Sequence, residues 1–440
     1  MSRSGQACRR VRSAVKNGPL SEPAESYDVA VVGAGAAGLA TAIFARRFNR
    51  ARSVVLLEGA RKPGAKILVS GGSRCNVTNA IVTERDFWGG RASIIRRVLR
   101  AFPVGDTIAF FREIGVGLHE EAGGKLFPDT NRARDVLDAL LRESGTLGVV
   151  LAPGRRVLDV ERYGGGFRVI TDRSDLRAAA VVLATGGQSL PKSGSDGAGF
   201  AIAGRLGHTI VPTTPALAPL TLDADRSVHR DLSGVSQNVE LAVRIDGAVA
   251  IRLTGALLWT HFGISGPVAL NASRHWLRAQ LEGRQVSITA NVCPGERFED
   301  VDASVRQRAV ASPKASLYTT LAALVPASVA AAFLRQLDID GTVALAHLAR
   351  DTRRRVSKAL VEWPLPVIGT RGYTYAEATA GGVALTELDP STMASRVCPG
   401  LYCVGEIADV DGRIGGFNFQ WAWSSGFVAG RALAIGTGSI

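Results

Sequence analysis

An α/β fold built on a mostly parallel sheet is predicted by three stretches of this 440-residue chain. The first is Tyr27-Asp-Val-Ala-Val-Val-Gly33-Ala-Gly35-Ala-Ala-Gly38-Leu, a β-branched run that enters a glycine turn and leaves as an alanine-rich helix. The second is another apolar run, Ser53-Val-Val-Leu-Leu57, closed by Glu58, which lies 25 residues beyond Gly33. The third is Ala179-Ala-Val-Val-Leu183, which ends in Ala184-Thr185-Gly186-Gly187. Continuous apolar strands of this kind belong to parallel sheets covered on both faces.

The first stretch carries a specific chemistry. Gly33 takes the tight turn, Gly35 lets the backbone approach a pyrophosphate, and Gly38 lets the helix close on the strand. Free amides around Ala36 and Ala37, at the positive end of that helix, favour a diphosphate. Glu58 is placed to accept from a ribose 2′-hydroxyl, completing the fingerprint of a Rossmann-like dinucleotide unit. This motif by itself does not separate NAD from FAD.

Length and composition set the frame. A chain of this size exceeds one simple core, so two or three domains are expected. Hydrophobic residues make up 46%, charged residues 21%, and no apolar run approaches the roughly 20 residues of a membrane-spanning helix. The net charge is +13, and +10 remains when residues 1–26, with Arg3, Arg9, Arg10, Arg12 and Lys16 against Glu22 and Glu25, are set aside. A polyanionic partner such as RNA is one reading of that excess, and an arginine-rich composition without such a partner is the other. The five cysteines, Cys8, Cys75, Cys293, Cys398 and Cys403, are scattered without metal-type spacing. They point to reduced thiols in a cytoplasmic protein and to no metal site. Arg9-Arg10 is followed by no apolar segment, so residues 1–26 read as a disordered basic tail or transit-like arm rather than a secretory signal.

After Glu58 comes Gly59-Ala-Arg-Lys-Pro-Gly64-Ala-Lys66-Ile-Leu-Val-Ser70-Gly71-Gly72-Ser73-Arg74-Cys75-Asn76-Val-Thr78-Asn79, expected to be a loop because glycine and small polar residues dominate it. Lys66, Arg74, Asn76 and Asn79 offer donors to the phosphate, ribityl or ring atoms of a cofactor. Combined with Gly33, Gly35, Gly38 and Glu58, this stretch resembles the BaiN/YhiN-type FAD-dependent flavoproteins, oxidoreductases distantly similar to the fumarate reductase flavoprotein fold. The family loop reads S-G-G-G-R-C-N, and here Ser73 replaces its third glycine, a departure expected to be tolerated.

The resemblance continues along the chain. Residues 84–145 read as mostly helical, with Arg91, Arg96, Arg97 and Arg100 on one helix face and Gly124-Lys-Leu-Phe127-Pro128 similar to a family G-x-x-F-P turn. In 149–170 a strand-rich passage carries Val157, whose counterpart in the family gives backbone contacts to adenine. Ala184 to Gly187 and Asp196-Gly197-Ala-Gly199 match two further family patterns. From 212 to 295, alternating runs such as Val239–Ile245 predict an inserted antiparallel β-domain. It contains Trp259-Thr260-His261-Phe-Gly263-Ile-Ser265-Gly266-Pro267, similar to the family's F-T-H-x-G-x-S-G-P. Residues 296–362, with Arg353-Arg-Arg355 and Lys358, read as a helical insertion. The nucleotide domain is therefore expected to be split between 27–211 and 363–440.

At the far end stand Gly405-Glu406-Ile-Ala-Asp409 and Gly415-Gly416-Phe417-Asn418-Phe-Gln420. The resemblance implies that Asp409 serves the ribityl or pyrophosphate portion of FAD and that the glycine amides serve the pyrimidine end of the flavin. Ser70, Gly71, Arg74, Cys75 and Asn76 are likewise expected at the cofactor. A second dinucleotide motif is absent, so any NAD(P)H is expected to bind transiently. The implied activity is NAD(P)H-driven reduction of a polarised C=C bond, in uracil of ribosomal RNA or in a small enone or steroid-like metabolite; oxidation of a small amine is the alternative. Cys75 and His261 are the candidate catalytic acids or carbonyl-polarising groups.

Overall fold

The structure, a computed structural model, describes residues 25–435. Most of the basic tail lies outside the described residues. Glu25 belongs to the fold, because its carbonyl accepts from the Arg177 amide and its carboxylate pairs with Arg155 at 2.6 Å.

The central sheet has seven strands. In spatial order they are Val150–Pro153, Val54–Glu58, Ser26–Val32, Leu176–Leu183, Gly166–Thr171 and Val157–Tyr163, with Leu401–Cys403 also paired to Leu176–Leu183. The pairings around Ser26–Val32 and Val54–Glu58 are parallel, as is that of Leu401–Cys403. Val157–Tyr163 and Gly166–Thr171 form an antiparallel hairpin on the side. Val29 to Val32 and Val54 to Leu57 are all buried, as continuous apolar strands require.

Two helices pack face to face beside this sheet: Ala36–Phe48 and the closing helix Phe417–Ile435. They approach closely because Gly426 and Gly430 lie against Ala37, Ala40, Thr41 and Phe44. The last helix is therefore buried nearly all round, and its sequence is apolar nearly all round.

Residues 59–79 differ from the expected loop. Ala65–Ser73 begins as a helix that buries Ile67, and it is broken at Ser70, Gly71 and Gly72 by non-helical backbone angles. Ser73 itself sits at φ +68°. A left-handed conformation costs a residue with a Cβ roughly 1–2 kcal/mol, which glycine would avoid. Between the helices Val104–Glu113 and Ala133–Thr146, the segment expected to be turn-rich is a hairpin of Leu118–Glu121 and Lys125–Pro128.

A second seven-stranded sheet is wholly antiparallel. It runs Trp363–Leu365, Val286–Asn291, Ser236–Ile245, Ala248–Thr260, Gly263–Ser265, Leu220–Leu222, Val367–Thr370. Its two edge strands are separated in the chain only by Pro366, so the edges lie within about 7 Å and the sheet curls back on itself. Both edge strands come from the segment after 362, which the sequence alone assigned to the nucleotide domain. Helices from 298 to 361 pack on this sheet and share its core, where Phe333 stacks on Trp363 at a 3.6 Å centroid distance. The chain crosses between the two bodies through a short antiparallel pair, Ile210–Ala216 with Ala378–Val383. Among the described residues no helix is long and apolar enough to cross a membrane.

Candidate functional site

Four strands of the parallel sheet end on one cleft. Val32, Leu57, Ala184 and Val404, each at or just past a strand's carboxyl end, all line it. Open α/β sheets bind ligands outside these strand ends, where the chain turns away to either side. The cleft has a volume of about 800 Å³, toward the upper part of the roughly 300–1,000 Å³ typical of small-molecule sites.

The glycines of the first turn divide their labour as their environments dictate. A Cβ on Gly33 would lie 2.5 Å from the Ala184 carbonyl oxygen, and one on Gly38 would collide with the Gly33 carbonyl. A Cβ on Gly35 would meet nothing, because that position opens on the cleft. No side chain caps the helix that Gly35 starts, and no acidic side chain stands in its first turn. Its first amides are therefore free for an anion. Glu58 sits beside them, accepting from the amides of Ala34 (3.0 Å) and Ala60 (2.9 Å).

The opposite wall comes from the other end of the chain. Lys66 pairs with Glu406 at 2.8 Å, and Ser189 Oγ bonds both. Glu406 also accepts from the Thr379 amide at 2.9 Å, and Thr379 Oγ1 accepts from the amides of Gln188 and Ser189. This network joins four separated segments at the cleft. Gly405, Gly415, Gly416 and Asn418 complete the wall, with Gly415 at φ +121° and Gly416 at φ +93°.

Many predicted site residues therefore meet on one surface: Gly33, Gly35, Ala36, Ala37 and Glu58 at one end, and Lys66, Ser70, Gly71, Gly405, Glu406, Gly415, Gly416 and Asn418 along the other. Val157, Ala184, Thr185 and Gly186 line it too. Others are placed off that wall. Gly38 and Gly187 are closed in by backbone or side chains behind the wall. Asp409 is 9% exposed and off the wall, with burial first and then the neighbouring Asp411 pushing its carboxyl above the usual range. Phe417 and Gln420 are each 1% exposed, and Gln420 accepts from Thr78 Oγ1 at 2.6 Å.

The Arg74-Cys75-Asn76 segment is the clearest case. Arg74 turns away to pair with Glu121 at 2.6 Å and stacks on Phe127. Asn76 donates to the Thr78 carbonyl and accepts from the Gly416 amide at 3.1 Å. Asn79 donates to the Gly415 carbonyl at 3.1 Å, and Trp423 donates to the Val77 carbonyl at 2.8 Å. This segment does not face the cleft; it holds the glycine wall that does. Buried polar side chains must find partners, and here those partners are the backbone of the C-terminal turn. Cys75 is fully buried at φ +63°, and burial pushes its thiol up to about 12. It is shut off from any substrate in the cleft.

His261 lies on the exposed turn after Ala248–Thr260 and is also off the cleft wall. Its ring meets Phe262 edge-on at 5.1 Å. Phe262 in turn lies under Arg371, which stacks on Tyr375 at 3.8 Å, and Tyr375 does line the cleft. Tyr375, Glu377, Arg413 and the pair Arg156–Asp196 were not legible as site residues. Of these, only Asp196 carried a motif signal, in its D-G-x-G. Among the described residues, no group of three His, Cys, Asp or Glu side chains is placed to hold a metal.

Comparison with known proteins shows what the chain is similar to. The family described as HI0933-like protein Rossmann domain matches residues 27–432. The ribosomal RNA dihydrouridine synthase of Escherichia coli is 34% identical, the match covering 93% of this chain and 98% of that protein. The 3-dehydro-bile acid delta(4,6)-reductase of Clostridium scindens is 31% identical over 92% of this chain and 98% of that protein. Among solved structures, an E. coli quinol fumarate reductase chain aligns with a TM-score of 0.49 at 16% identity, covering 93% of this chain and 70% of that one. With its glycine turn and its far C-terminal wall meeting on one cleft, and with a family match spanning nearly all described residues, this chain belongs to the HI0933-like family, the BaiN/YhiN-type FAD-dependent oxidoreductases.

Proposed function

We propose that the cleft binds FAD non-covalently and that the protein reduces a C=C bond polarised by a carbonyl, with NAD(P)H as the transient hydride donor. One observation carries the reading: both walls of a single long cleft are glycine backbone, one at an uncapped helix start and one at Gly415–Gly416. The residues present fit the cofactor. Open space at Gly35 and the amides of Ala36 and Ala37 suit a pyrophosphate, and Glu58 suits a ribose hydroxyl. Lys66, held by Glu406 and Ser189, puts a cation beside the glycine wall, where the flavin ring would rest.

Bound FAD supplies the hydride chemistry. The protein's own share is to hold the substrate flat against that ring, exclude water and deliver a proton. A delta(4,6)-reductase acting on a 3-dehydro acid and a dihydrouridine synthase share one chemistry, addition of hydrogen across a double bond conjugated with a carbonyl. That shared chemistry supports the reading for this chain. The free thiols of Cys75, Cys293, Cys398 and Cys403 are in keeping with a cytoplasmic protein.

Charge favours ribosomal RNA among the substrates. Arg91, Arg97 and Arg100 are exposed on and just before the helix Ala92–Ala101, while among the described residues only Arg96 on that face is paired, with Glu84. Phosphate contacts of this kind would dominate affinity. The second basic patch is partly spent internally, since Arg353 pairs with Asp302 and Arg355 donates to the Leu337 carbonyl.

Purified protein is expected to be yellow, and NADPH added without oxygen is expected to bleach it. A colourless protein that takes up no FAD overturns the proposal, and bleaching by a small amine but not by NAD(P)H favours the oxidase alternative. A strain lacking the gene is expected to lose dihydrouridine from ribosomal RNA. An unchanged nucleoside profile there rejects RNA as the substrate and leaves a small enone.

A further inference from the structure

Four acidic side chains line the cleft, and three are already engaged. Glu58 accepts from two backbone amides, Asp196 pairs with Arg156, and Glu406 is bonded to Lys66, Ser189 and the Thr379 amide. Glu377 is different. Its carboxylate has no hydrogen-bond or ion-pair partner among the described residues, and its side chain is open to the cleft.

The backbone at Glu377 is fixed from both sides. Its amide donates to the Leu217 carbonyl, and its own carbonyl accepts from Ser189 Oγ at 3.3 Å. It immediately precedes the fully buried strand Ala378–Val383. The carboxyl is thus presented from a rigid element, close to the Lys66–Ser189–Glu406 network. Two residues earlier, the ring of Tyr375 is half exposed on the same wall and backed by the Arg371 guanidinium. That arrangement gives a flat substrate a surface to lie on beside an unengaged acid.

We propose that Glu377 is the general acid of this site, protonating the α carbon of the substrate. The inference rests on the C=C reductase reading. In the step, a hydride bearing two electrons reaches the β carbon, and the π pair moves toward the α carbon and its carbonyl. The Glu377 carboxyl then gives its proton to the α carbon and is left as a carboxylate, which water reprotonates. Its surroundings suit the role. Glu377 is exposed to the cleft, yet desolvation by the protein around it raises the carboxyl above its ordinary range, and Lys125 partly offsets the rise. Acids working near neutral pH need this kind of upward shift.

The test uses FAD-loaded protein, E377Q and Y375F, with unmodified ribosomal RNA and 2-cyclohexenone as probes. E377Q is expected to bind FAD and bleach with NADPH at rates within about threefold of wild type. Its reoxidation by whichever probe the wild type accepts should fall about 10²–10⁴-fold, the usual contribution of a positioned acid. E377D should recover part of the loss. In the infrared, a protonated-carboxyl band present in the wild type should vanish in E377Q, with or without substrate. Reoxidation of E377Q within threefold of wild type overturns the assignment, as does a large loss in Y375F alone, which would make the phenol the acid. Wild-type protein that NADPH bleaches but neither probe reoxidises overturns the reductase reading itself.

Discussion

Replacing Arg274 with alanine is expected to destabilise the protein by about 3–5 kcal/mol, because it strands a buried carboxylate. Arg274 meets Asp411 through two N–H groups of one guanidinium edge, Nε at 2.6 Å and Nη2 at 3.0 Å, and Asp411 is 1% exposed. The same guanidinium lies over Trp88 at 5.0 Å. Arg274 belongs to the helix Pro267–Leu281, from which Asn271 also accepts the Ile414 amide and Ser273 the Ala218 amide. That helix is thus the buttress of the 409–416 segment, and Ile414, Gly415 and Gly416 line the cleft. R274A should therefore loosen cofactor as well as fold. Lysine cannot reproduce the two-pronged contact, so R274K should recover little. Replacing both partners with apolar residues of similar size should restore most of the stability, since no unpaired charge then remains. Urea unfolding measures all three variants, and a loss below 1 kcal/mol in R274A would remove the pair from the account of stability.

Gly430→Val is expected to cost about 3 kcal/mol, at the top of the range for overpacking, and to separate the two helices that frame the pyrophosphate turn. A Cβ at Gly430 would stand 2.7 Å from Phe44 Cβ and 2.8 Å from both the Thr41 carbonyl oxygen and the Ala45 amide. Two of those three neighbours are backbone and cannot swing aside. Gly426, one turn earlier, is equally constrained by Ala40 and the Ala37 carbonyl. Moving the closing helix displaces Ala37 and its neighbours, so flavin retention should fall together with stability. Gly145 is the control: it is also helical, but a Cβ there would meet nothing within 4 Å. Gly145→Ala should therefore be neutral or slightly stabilising. Denaturation midpoints with an unchanged slope decide the matter, and a Gly430→Val midpoint equal to wild type would mean the helices can part freely.

The sequence determined the parallel sheet, the pyrophosphate turn and the pairing of the two chain ends. Val29–Val32 and Val54–Leu57 are continuous apolar runs that have no stable place except the middle of a covered sheet. Gly33, Gly35 and Gly38 need the spacing they have because a Cβ at two of them would meet backbone and the third must face the ligand. Such constraints are local, and local constraints leave a mark in sequence. Only the tertiary structure decided which polar residues face the cleft. Arg74, Asn76 and Asn79 have the donors of a ligand loop, yet their partners are Glu121, Gly416 and Gly415, supplied from remote parts of the chain. Glu377 shows the converse. It is a glutamate in no distinctive pattern, and it becomes the one unengaged acid on the cleft wall among the described residues because Arg156, Lys66 and backbone amides have already claimed the other three. A hydrogen bond is fixed by which segments folding brings together, and that long-range pairing is not written in the spacing of residues along the chain.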